Sequence, residues 1–217
     1  MRKIGFIGCG HMAQALIKGL KSNKSYELLG HDRNSKNIAW LKQERIASYA
    51  LKEVCHQADI LMICVKPKDM YDLCSEMKTY IGKELKIVSV AAGITLESLK
   101  DALSGGKVYR AMPNIGAKHN LGITSIFSHE ELNEILDIFN YLGKAIVVED
   151  EDKINLHTSL IGSAPAFYFE IINEFEHKLN ELLPDNVSKR DITLLFLTSL
   201  ISACLLYTSD AADDSLR

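Results

Sequence analysis

The sequence predicts an α/β fold in which a doubly wound, mainly parallel sheet is followed by an all-helical segment. Over the first 150 residues, short apolar runs without polar alternation take turns with segments whose apolar residues recur at helical spacing. A strand without alternation must be covered on both faces, as in a parallel sheet with helices on either side. From about residue 153 the helical period continues, and no further strand is predicted.

The boundaries of these elements coincide with residues of known local preference. The first strand ends at a glycine, Pro67 stops a buried strand, and a Thr95-x-x-Ser98 pattern opens a helix. Strands are predicted over 3–9, 26–32, 58–67, 85–94, 107–114, 122–127 and 144–150. Helices are predicted over 11–22, 70–81, 95–103, 129–143, 163–183 and 189–206.

The change of pattern predicts a division into residues 1–152 and 153–206. The acidic run Glu149–Asp152 lies at this boundary, and we interpret it as a solvated loop. Residues 207–217, "YTSDAADDSLR", are small and acidic and differ from everything before them. We interpret them as an appended, structureless, non-native tail.

Composition excludes several classes of protein. A net charge of −3 without a basic cluster argues against nucleic-acid binding, and we find no secretory signal and no apolar stretch long enough to span a bilayer. The segment 191–207 comes closest to a span and is interpreted as a buried interface helix. The five cysteines form no pair or metal-site spacing, which predicts a reduced, cytoplasmic protein without a metal.

A glycine triplet follows the first strand. In the pattern Gly8-x-Gly10-x-x-Ala13, the first glycine permits a sharp turn and the second lets a pyrophosphate approach the backbone. Ala13 permits close helix–strand packing, and the helix that begins near His11 points its positive end at the anion. The pattern predicts a dinucleotide site, and an ordinary structural turn is the alternative.

The end of the second strand bears on the choice of dinucleotide. An acidic residue here normally binds the ribose 2′-hydroxyl of NAD, whereas a nearby arginine favours the 2′-phosphate of NADP. The sequence has both, as Asp32 and Arg33. We expect NADP(H) to be preferred over NAD(H), with a plain polar turn as the alternative.

Several stretches together resemble the pyrroline-5-carboxylate reductase family. They are "IGFIGCGHMAQAL" (4–16), "ADILMICVKP" (58–67), "VSVAAGITLESL" (88–99), "YRAMPNIGAKHNLGIT" (109–124) and "LIGSAPAFYFEIINEF" (160–175). The resemblance implies a Rossmann-type domain followed by an all-α domain that forms an intertwined homodimer or higher oligomer. It also implies NAD(P)H-dependent reduction of a cyclic imino acid, 1-pyrroline-5-carboxylate, to L-proline.

The resemblance also implies roles for individual residues. The residues expected to bind the cofactor are Gly8, Gly10, His11, Met12, Asp32, Arg33, Asn34, Val65, Lys66, Pro67, Ala91 and Ala92. Asn114, which follows the strand approaching the nicotinamide, and Ser163, which opens the long helix beside the substrate, are the expected catalytic residues. Three of these residues have a structural alternative. Asn114 would cap a turn, Ser163 would be a helix N-cap, and Lys66 would be a lysine in water at the end of a strand. Arg110 is either an ion-pair residue or a ligand.

The chemistry suits this inventory. A protonated imine is already electrophilic, so hydride transfer needs orientation of the two reactants more than acid–base help. A catalytic His/Asp dyad is therefore not expected.

Two departures from the family pattern keep alternatives open. "MPNIGA" places Ile115 and Gly116 where the family usually has Thr-Pro, and the family's Ser-Pro-Gly-Gly-Thr-Thr loop and the helices after it do not follow residue 206. The all-α domain is therefore expected to be incomplete, as in a C-terminally truncated chain. A dinucleotide-binding paralogue without reductase activity, or a reductase of a related cyclic imine, is the alternative.

Overall fold

The computed structural model describes residues 1–184 and 186–214, with the backbone alone for residues 164 and 203–214. The chain forms two compact units, Met1–Ser163 and Ala164–Arg217. Each unit is described by itself below, and the predicted division at residue 152 stays a prediction.

The first unit is built on an eight-stranded sheet of order β3-β2-β1-β4-β5-β6-β7-β8. Neighbouring strands are parallel except β6 and β7, which confirms the predicted mainly parallel, Rossmann-type α/β fold. The strands are β1 Arg2–Ile7, β2 Tyr26–His31, β3 Ala47–Ser48, β4 Ile60–Ile63, β5 Lys86–Ser89, β6 Lys107–Pro113, β7 Gly122–Phe127 and β8 Gly143–Val147. The strand order reverses at β1, so the crevice at the carboxyl ends of β1 and β4 is the expected ligand site of such a sheet.

Helices follow most of the strands. Those of the first unit are α1 His11–Leu20, α2 Ser35–Gln43, α3 Leu51–Gln57, α4 Met70–Met77, α5 Leu96–Leu103, α6 Asn133–Tyr141 and α7 Asp152–His157. Short 3₁₀ turns lie at Pro67–Asp69 and Ile115–His119, and a π-helical turn at Thr158–Gly162 continues α7. The second unit has α8 Ala164–Leu182 and α9 Lys189–Asp214.

The sheet has a hydrophobic core on each face. Ile7, Ile63 and Ile87 pack in a core with residues of α3, α4 and α5, whereas Phe6 and Met62 pack in a second core with residues of α1 and α6. Successive strand residues point to opposite faces, so both parities must be apolar. This explains the unalternated apolar runs in the sequence.

Local signals account for several boundaries, and two parts of the chain depart from prediction. The Thr95 hydroxyl accepts a hydrogen bond from Ser98 N at 3.2 Å, so Thr95 caps α5 as the sequence predicts. The segment 33–57 received no predicted element but forms α2, β3 and α3. The interpretation of Glu149–Asp152 as a solvated loop holds for Glu149 and Asp150, which are exposed outside any helix or strand. It is wrong for Asp152, which starts α7, and for Glu151, which forms an ion pair with Arg110.

The second unit is a helical pair. Phe175 of α8 and Phe196 of α9 stack with ring centroids 4.5 Å apart and planes inclined by 21°. The α9 helix continues to Asp214, so its predicted end at residue 206 is wrong. The interpretation of the tail as structureless is wrong for residues 207–214, which belong to this helix. Residues 215–217 of the predicted tail lie outside the described residues. None of the helices described combines enough length and hydropathy to cross a bilayer.

Candidate functional site

The glycine turn lies where β1 ends, at the reversal point of the sheet. Gly8 has φ of +83°, and a Cβ atom there would lie 2.8 Å from Val65 Cγ1 and 3.0 Å from Val65 N. Its own N–H donates to the carbonyl of His31 at 2.9 Å. Glycine at position 8 is therefore required by the protein itself, because the backbone is left-handed there and the segment that follows β4 packs directly against the turn.

Gly10 is different. Its backbone has φ of −75°, which any residue adopts, and a Cβ atom there would meet no protein atom within 4 Å. Gly10 lines an open crevice, so an added side chain would occupy the crevice and not the protein interior. The residue present thus fits a ligand that must come close to the main chain, such as a dinucleotide diphosphate.

A carboxylate holds the turn in shape. Asp32 Oδ2 accepts hydrogen bonds from Cys9 N at 2.6 Å and from Asn37 Nδ2 at 2.9 Å, and Asp32 Oδ1 accepts from Asn34 N at 2.6 Å. On the other side of the turn, Gln14 Nε2 donates to the Cys9 carbonyl at 3.0 Å. Asp32 therefore fixes the turn that joins β1 to α1, and its predicted contact with the ribose stays a prediction.

The start of α1 provides donors to the crevice. The first intrahelical bond runs from Gln14 N to the Gly10 carbonyl at 2.9 Å, so the helix itself offers no acceptor to the N–H groups of His11, Met12 and Ala13. Such groups at the positive end of a helix favour an anion.

The crevice has a volume of about 410 Å³ and lies between the ends of β1, β2 and β4. It is lined by Ile7, Gly8, Gly10, His31, Asp32, Arg33, Asn34, Asn37, Cys64, Val65, Lys66, Lys68, Asp69 and Leu73. Seven predicted cofactor residues are therefore brought together here: Gly8, Gly10, Asp32, Arg33, Asn34, Val65 and Lys66.

The other five predicted cofactor residues lie outside this lining. His11 lines a separate cavity of about 220 Å³, and Met12 packs against the core on the α1 face. Pro67 is exposed at the start of its 3₁₀ turn. Ala91 is buried in the core on the α5 face, whereas Ala92 is exposed in the loop after β5.

Sequence reasoning missed seven residues of the lining. Ile7, His31 and Cys64 lie within predicted strands, but the sequence did not assign them to the site. Lys68, Asp69 and Leu73 follow the "VKP" stretch by one to six residues, and their closeness to it was a usable signal. Asn37 lies on α2, which was not predicted, so its contact with Asp32 had no signal in the sequence.

The two predicted catalytic residues both bond to the π-helical turn. Asn114 Nδ2 donates to the Ile161 carbonyl at 3.5 Å, and Asn114 Oδ1 accepts from Ile123 N at 3.1 Å. The Ser163 hydroxyl donates to the Thr158 carbonyl at 3.2 Å. Because π-helical turns occur frequently at functional sites, the contact of both residues with one such turn favours a shared role.

A serine–histidine pair that the sequence did not indicate lies beside this turn. The hydroxyl of the fully buried Ser125 is 2.5 Å from His157 Nδ1, and Ser125 is paired with Met112 across β6 and β7. His157 is the last residue of α7, directly before the π-helical turn. The pair links the middle of β7 to the segment that Asn114 and Ser163 also contact.

Arg110 is resolved as an ion-pair residue. Its side chain is 2% exposed, and Nη1 lies 2.7 Å from Glu151 Oε1. The same carboxylate oxygen accepts a hydrogen bond from Leu96 N, the first residue of α5, at 2.6 Å. The pair thus ties the loop after β5 to the segment that begins α7.

The cysteines at the crevice are unsuited to nucleophilic chemistry. Burial raises the pKa of the Cys9 thiol to about 12, with the nearby Asp32 carboxylate adding to the effect. Burial also raises the pKa of Cys64 far above that of an exposed thiol. Within the part of the chain that is described, no group of three or more potential ligands is placed to hold a metal ion.

Comparisons with known proteins agree with this geometry. Residues 3–93 match the family model described as NADP oxidoreductase, coenzyme F420-dependent. The chain is 35% identical over 182 residues to the pyrroline-5-carboxylate reductase of Escherichia coli K12, covering 79% of this chain and 67% of that protein. It is 32% identical over 188 residues to the pyrroline-5-carboxylate reductase of Methanosarcina acetivorans, with the same coverage.

Solved structures show the same architecture. The pyrroline carboxylate reductase of Plasmodium falciparum, a structure with NADP bound, superposes with a TM-score of 0.82 at 20% identity over 95% of this chain and 79% of that one. The 1-pyrroline-5-carboxylate reductase of Streptococcus pyogenes gives a TM-score of 0.78 at 25% identity over 95% and 80% of the two chains. The superposition on the Plasmodium falciparum structure shows the fold. The sequence identity of 35% and 32% to the two relatives shows that this chain belongs to the pyrroline-5-carboxylate reductase family.

Proposed function

We propose that this chain catalyses the NAD(P)H-dependent reduction of 1-pyrroline-5-carboxylate to L-proline by hydride transfer to the cyclic imine. The activity is that of the family to which the chain belongs. The observation that carries the proposal is Gly10, where the fold leaves open space and no protein contact requires a glycine. A diphosphate in that space explains the residue, and the adjoining crevice has the expected place in the sheet.

The chain's own residues divide the binding of the cofactor among them. The N–H groups at Gly10, His11 and Met12 hold the diphosphate, while Arg33 and Asn34 face the adenosine ribose. Val65, Lys66, Pro67, Ala91 and Ala92 belong to the loops that flank the nicotinamide half. A bound nicotinamide dinucleotide supplies the hydride.

The substrate side is proposed to lie at the π-helical turn. Asn114 and Ser163 fix this turn from two directions and so set the position of the imine relative to the crevice. Their contribution is orientation, which in well-aligned reactions is worth about 7 to 11 kcal/mol in total. No proton transfer is assigned to them, because a protonated imine accepts hydride directly.

NADPH is proposed as the preferred cofactor. Asp32 already accepts three hydrogen bonds from the chain, which reduces its capacity to accept one from a ribose hydroxyl. Arg33 lies at the crevice with 71% of its side chain exposed and offers a cation to a 2′-phosphate.

The second unit is proposed to form a homodimer or a higher homo-oligomer through α8 and α9. Its helices expose large apolar side chains, among them Phe167, Tyr168, Phe169, Ile171, Leu195 and Ile201. A surface of this kind normally meets a partner. The partner we propose is a second copy of this chain, bound through the predicted helical domain 153–206.

We also propose that the protein is cytoplasmic. Its free thiols Cys9, Cys55, Cys64 and Cys74 would stay reduced there.

A pair of glycine substitutions tests the proposal. Gly10→Val should leave folding within about 1 kcal/mol of wild type because its side chain meets open space, yet weaken NADPH binding by about tenfold or more. Gly8→Ala is the matched control and should destabilise the fold through its positive φ and its contact with Val65. Calorimetry of NADPH binding and an assay of proline formation measure the outcome. Undiminished NADPH binding by Gly10→Val would refute the assigned site.

A non-catalytic dinucleotide-binding protein is the second candidate, motivated by Ile115 and Gly116 after the "MPN" stretch. A Cβ atom on Gly116 would lie 2.7 Å from the Leu121 carbonyl oxygen, so the local turn has adapted to glycine. NADPH binding without any proline formation, with NADPH and NADH both tried, would favour this candidate over the reductase.

A further inference from the structure

An ion pair joins the crevice lining to α4. Arg33 Nη2 donates to Glu76 Oε2 at 2.6 Å and so joins the loop after β2 to α4. The two side chains are 71% and 46% exposed. Glu76 lies three and seven residues after Leu73 and Asp69, both of which line the crevice, so it continues the same face of α4.

Glu76 and a 2′-phosphate would compete for the guanidinium of Arg33. A phosphate monoester offers acceptor oxygens and a charge of about −1.5 to −2 near pH 7, and arginine is its common partner in proteins. The Glu76 carboxylate holds Arg33 beforehand and adds a negative charge to the place where the phosphate would bind. NADH has a hydroxyl at this position and needs no such exchange.

We propose that Glu76 is a specificity-determining residue that restrains NADP(H) binding by competing with the 2′-phosphate for Arg33. The inference rests on the proposed function, because it places the adenosine end of the cofactor beside Arg33. The competition lowers the preference for NADPH and leaves the affinity for NADH unaffected.

The sign of the effect separates this role from a positioning role. Arginine has five N–H donors and can bind two acceptors at once. If Glu76 served to hold Arg33 in place for the phosphate, its removal would weaken NADPH binding. Competition requires the opposite result.

The experiment compares Glu76→Gln with Asp72→Asn, a control that removes one negative charge from the same exposed helix face one turn earlier. Calorimetry measures the affinity of each variant for adenosine 2′,5′-bisphosphate, AMP, NADPH and NADH. Glu76→Gln should tighten binding of the two 2′-phosphorylated ligands by about two- to fivefold, the range for loss of one exposed ion pair. Affinities for AMP and NADH should stay at the wild-type value, and Asp72→Asn should change none of the four.

A second arm tests whether the effect passes through Arg33. In an Arg33→Met background, Glu76→Gln should no longer improve binding of adenosine 2′,5′-bisphosphate. Weaker or unchanged NADPH binding in Glu76→Gln, an equal gain for NADH, or a gain that persists without Arg33 would each overturn the inference. Failure of the proposed dinucleotide site gives a different result, because the wild-type chain would then bind none of the four ligands. A wild-type chain that binds them but forms no proline would refute the reductase activity and leave this inference to be judged by the affinities alone.

Discussion

The buried pair of Arg110 and Glu151 gives an asymmetric prediction for stability. Arg110 is 2% exposed while Glu151 is 24% exposed, and one carboxylate oxygen serves both the guanidinium and the N–H of Leu96. Removing one partner of a buried pair is costly because the other charge stays uncompensated. The cost should therefore depend on which of the two partners is removed.

Glu151→Ala should be the more damaging change. It leaves the Arg110 guanidinium buried without its counter-ion, where Nη2 already has no hydrogen-bond partner among the described atoms. The expected loss is about 3 kcal/mol, the low end of the usual 3 to 5 because water reaches the site, and the Leu96 N–H adds about 1 kcal/mol. Arg110→Met should cost only about 1 to 2 kcal/mol of stability. The Glu151 carboxylate that remains is partly exposed to solvent and still accepts the hydrogen bond from Leu96 N.

Urea unfolding followed by the fluorescence of Trp40, the chain's single tryptophan, measures these losses in the first unit. The double variant should show a coupling energy of about 2 kcal/mol between the two sites. Glu27→Ala, which breaks an exposed pair with Lys3 of 3.8 Å, is the control and should cost about 0.5 kcal/mol or less. A loss below about 1 kcal/mol for Glu151→Ala, or a greater loss for Arg110→Met, would refute the reasoning.

Three further predictions follow from the same kind of contact. Asp32→Ala should cost about 2 kcal/mol of stability and weaken NADPH and NADH equally, because it releases the glycine turn; calorimetry showing a loss confined to NADH would indicate a ribose contact instead. Burial raises the pKa of Tyr109 to about 12, so the folded state favours the neutral phenol. The contribution of this phenol to the free energy of unfolding is complete below about pH 10 and disappears as the pH rises towards 12. Urea unfolding of wild type and Tyr109→Phe at alkaline pH measures the loss. Ser125→Ala should cost about 1 kcal/mol because His157 Nδ1 loses its partner, and a urea midpoint equal to that of wild type would contradict this.

The strands of the sheet were largely accessible from the sequence because they are buried on both faces. Runs such as "ILMI" and "KIVS" have apolar residues at both parities, and this pattern does not occur on a half-exposed strand. In the segment 33–57, α3 buries Leu51, Val54 and Cys55 at helical spacing, a signal that the prediction did not use. The rest of the segment was not accessible, because α2 buries Leu41 as its one fully buried residue among those described and β3 has two exposed residues. Elements with so little buried surface leave a weak periodic signal.

The site was accessible to the extent that its residues are adjacent in the chain. The glycine turn and the "DRN" and "VKP" stretches each lie at the end of one strand, and the sheet brings them together at one edge. The pairing of Ser125 with His157, 32 residues apart, depends on how α7 packs on β7. No local pattern encodes such a contact, so it needs the folded chain.

The contacts of Asp32 and Glu151, which both differ from those expected, have one physical cause in common. Asp32 was expected to face a ribose and Glu151 to face water, yet each accepts a hydrogen bond from a backbone N–H. For Asp32 the donor is Cys9 in the glycine turn, and for Glu151 it is Leu96 in the first turn of α5. Loops at the carboxyl edge leave main-chain N–H groups without a partner in the sheet or helix, and a carboxylate is the strongest acceptor available there. An acidic residue beside a ligand crevice can therefore be fixed by the protein before any ligand binds. When such a residue is replaced, a loss of cofactor binding can result from a change in the shape of the turn alone. The residues that touch the ribose are therefore identified by the ratio of NADPH to NADH affinity, and not by either affinity alone.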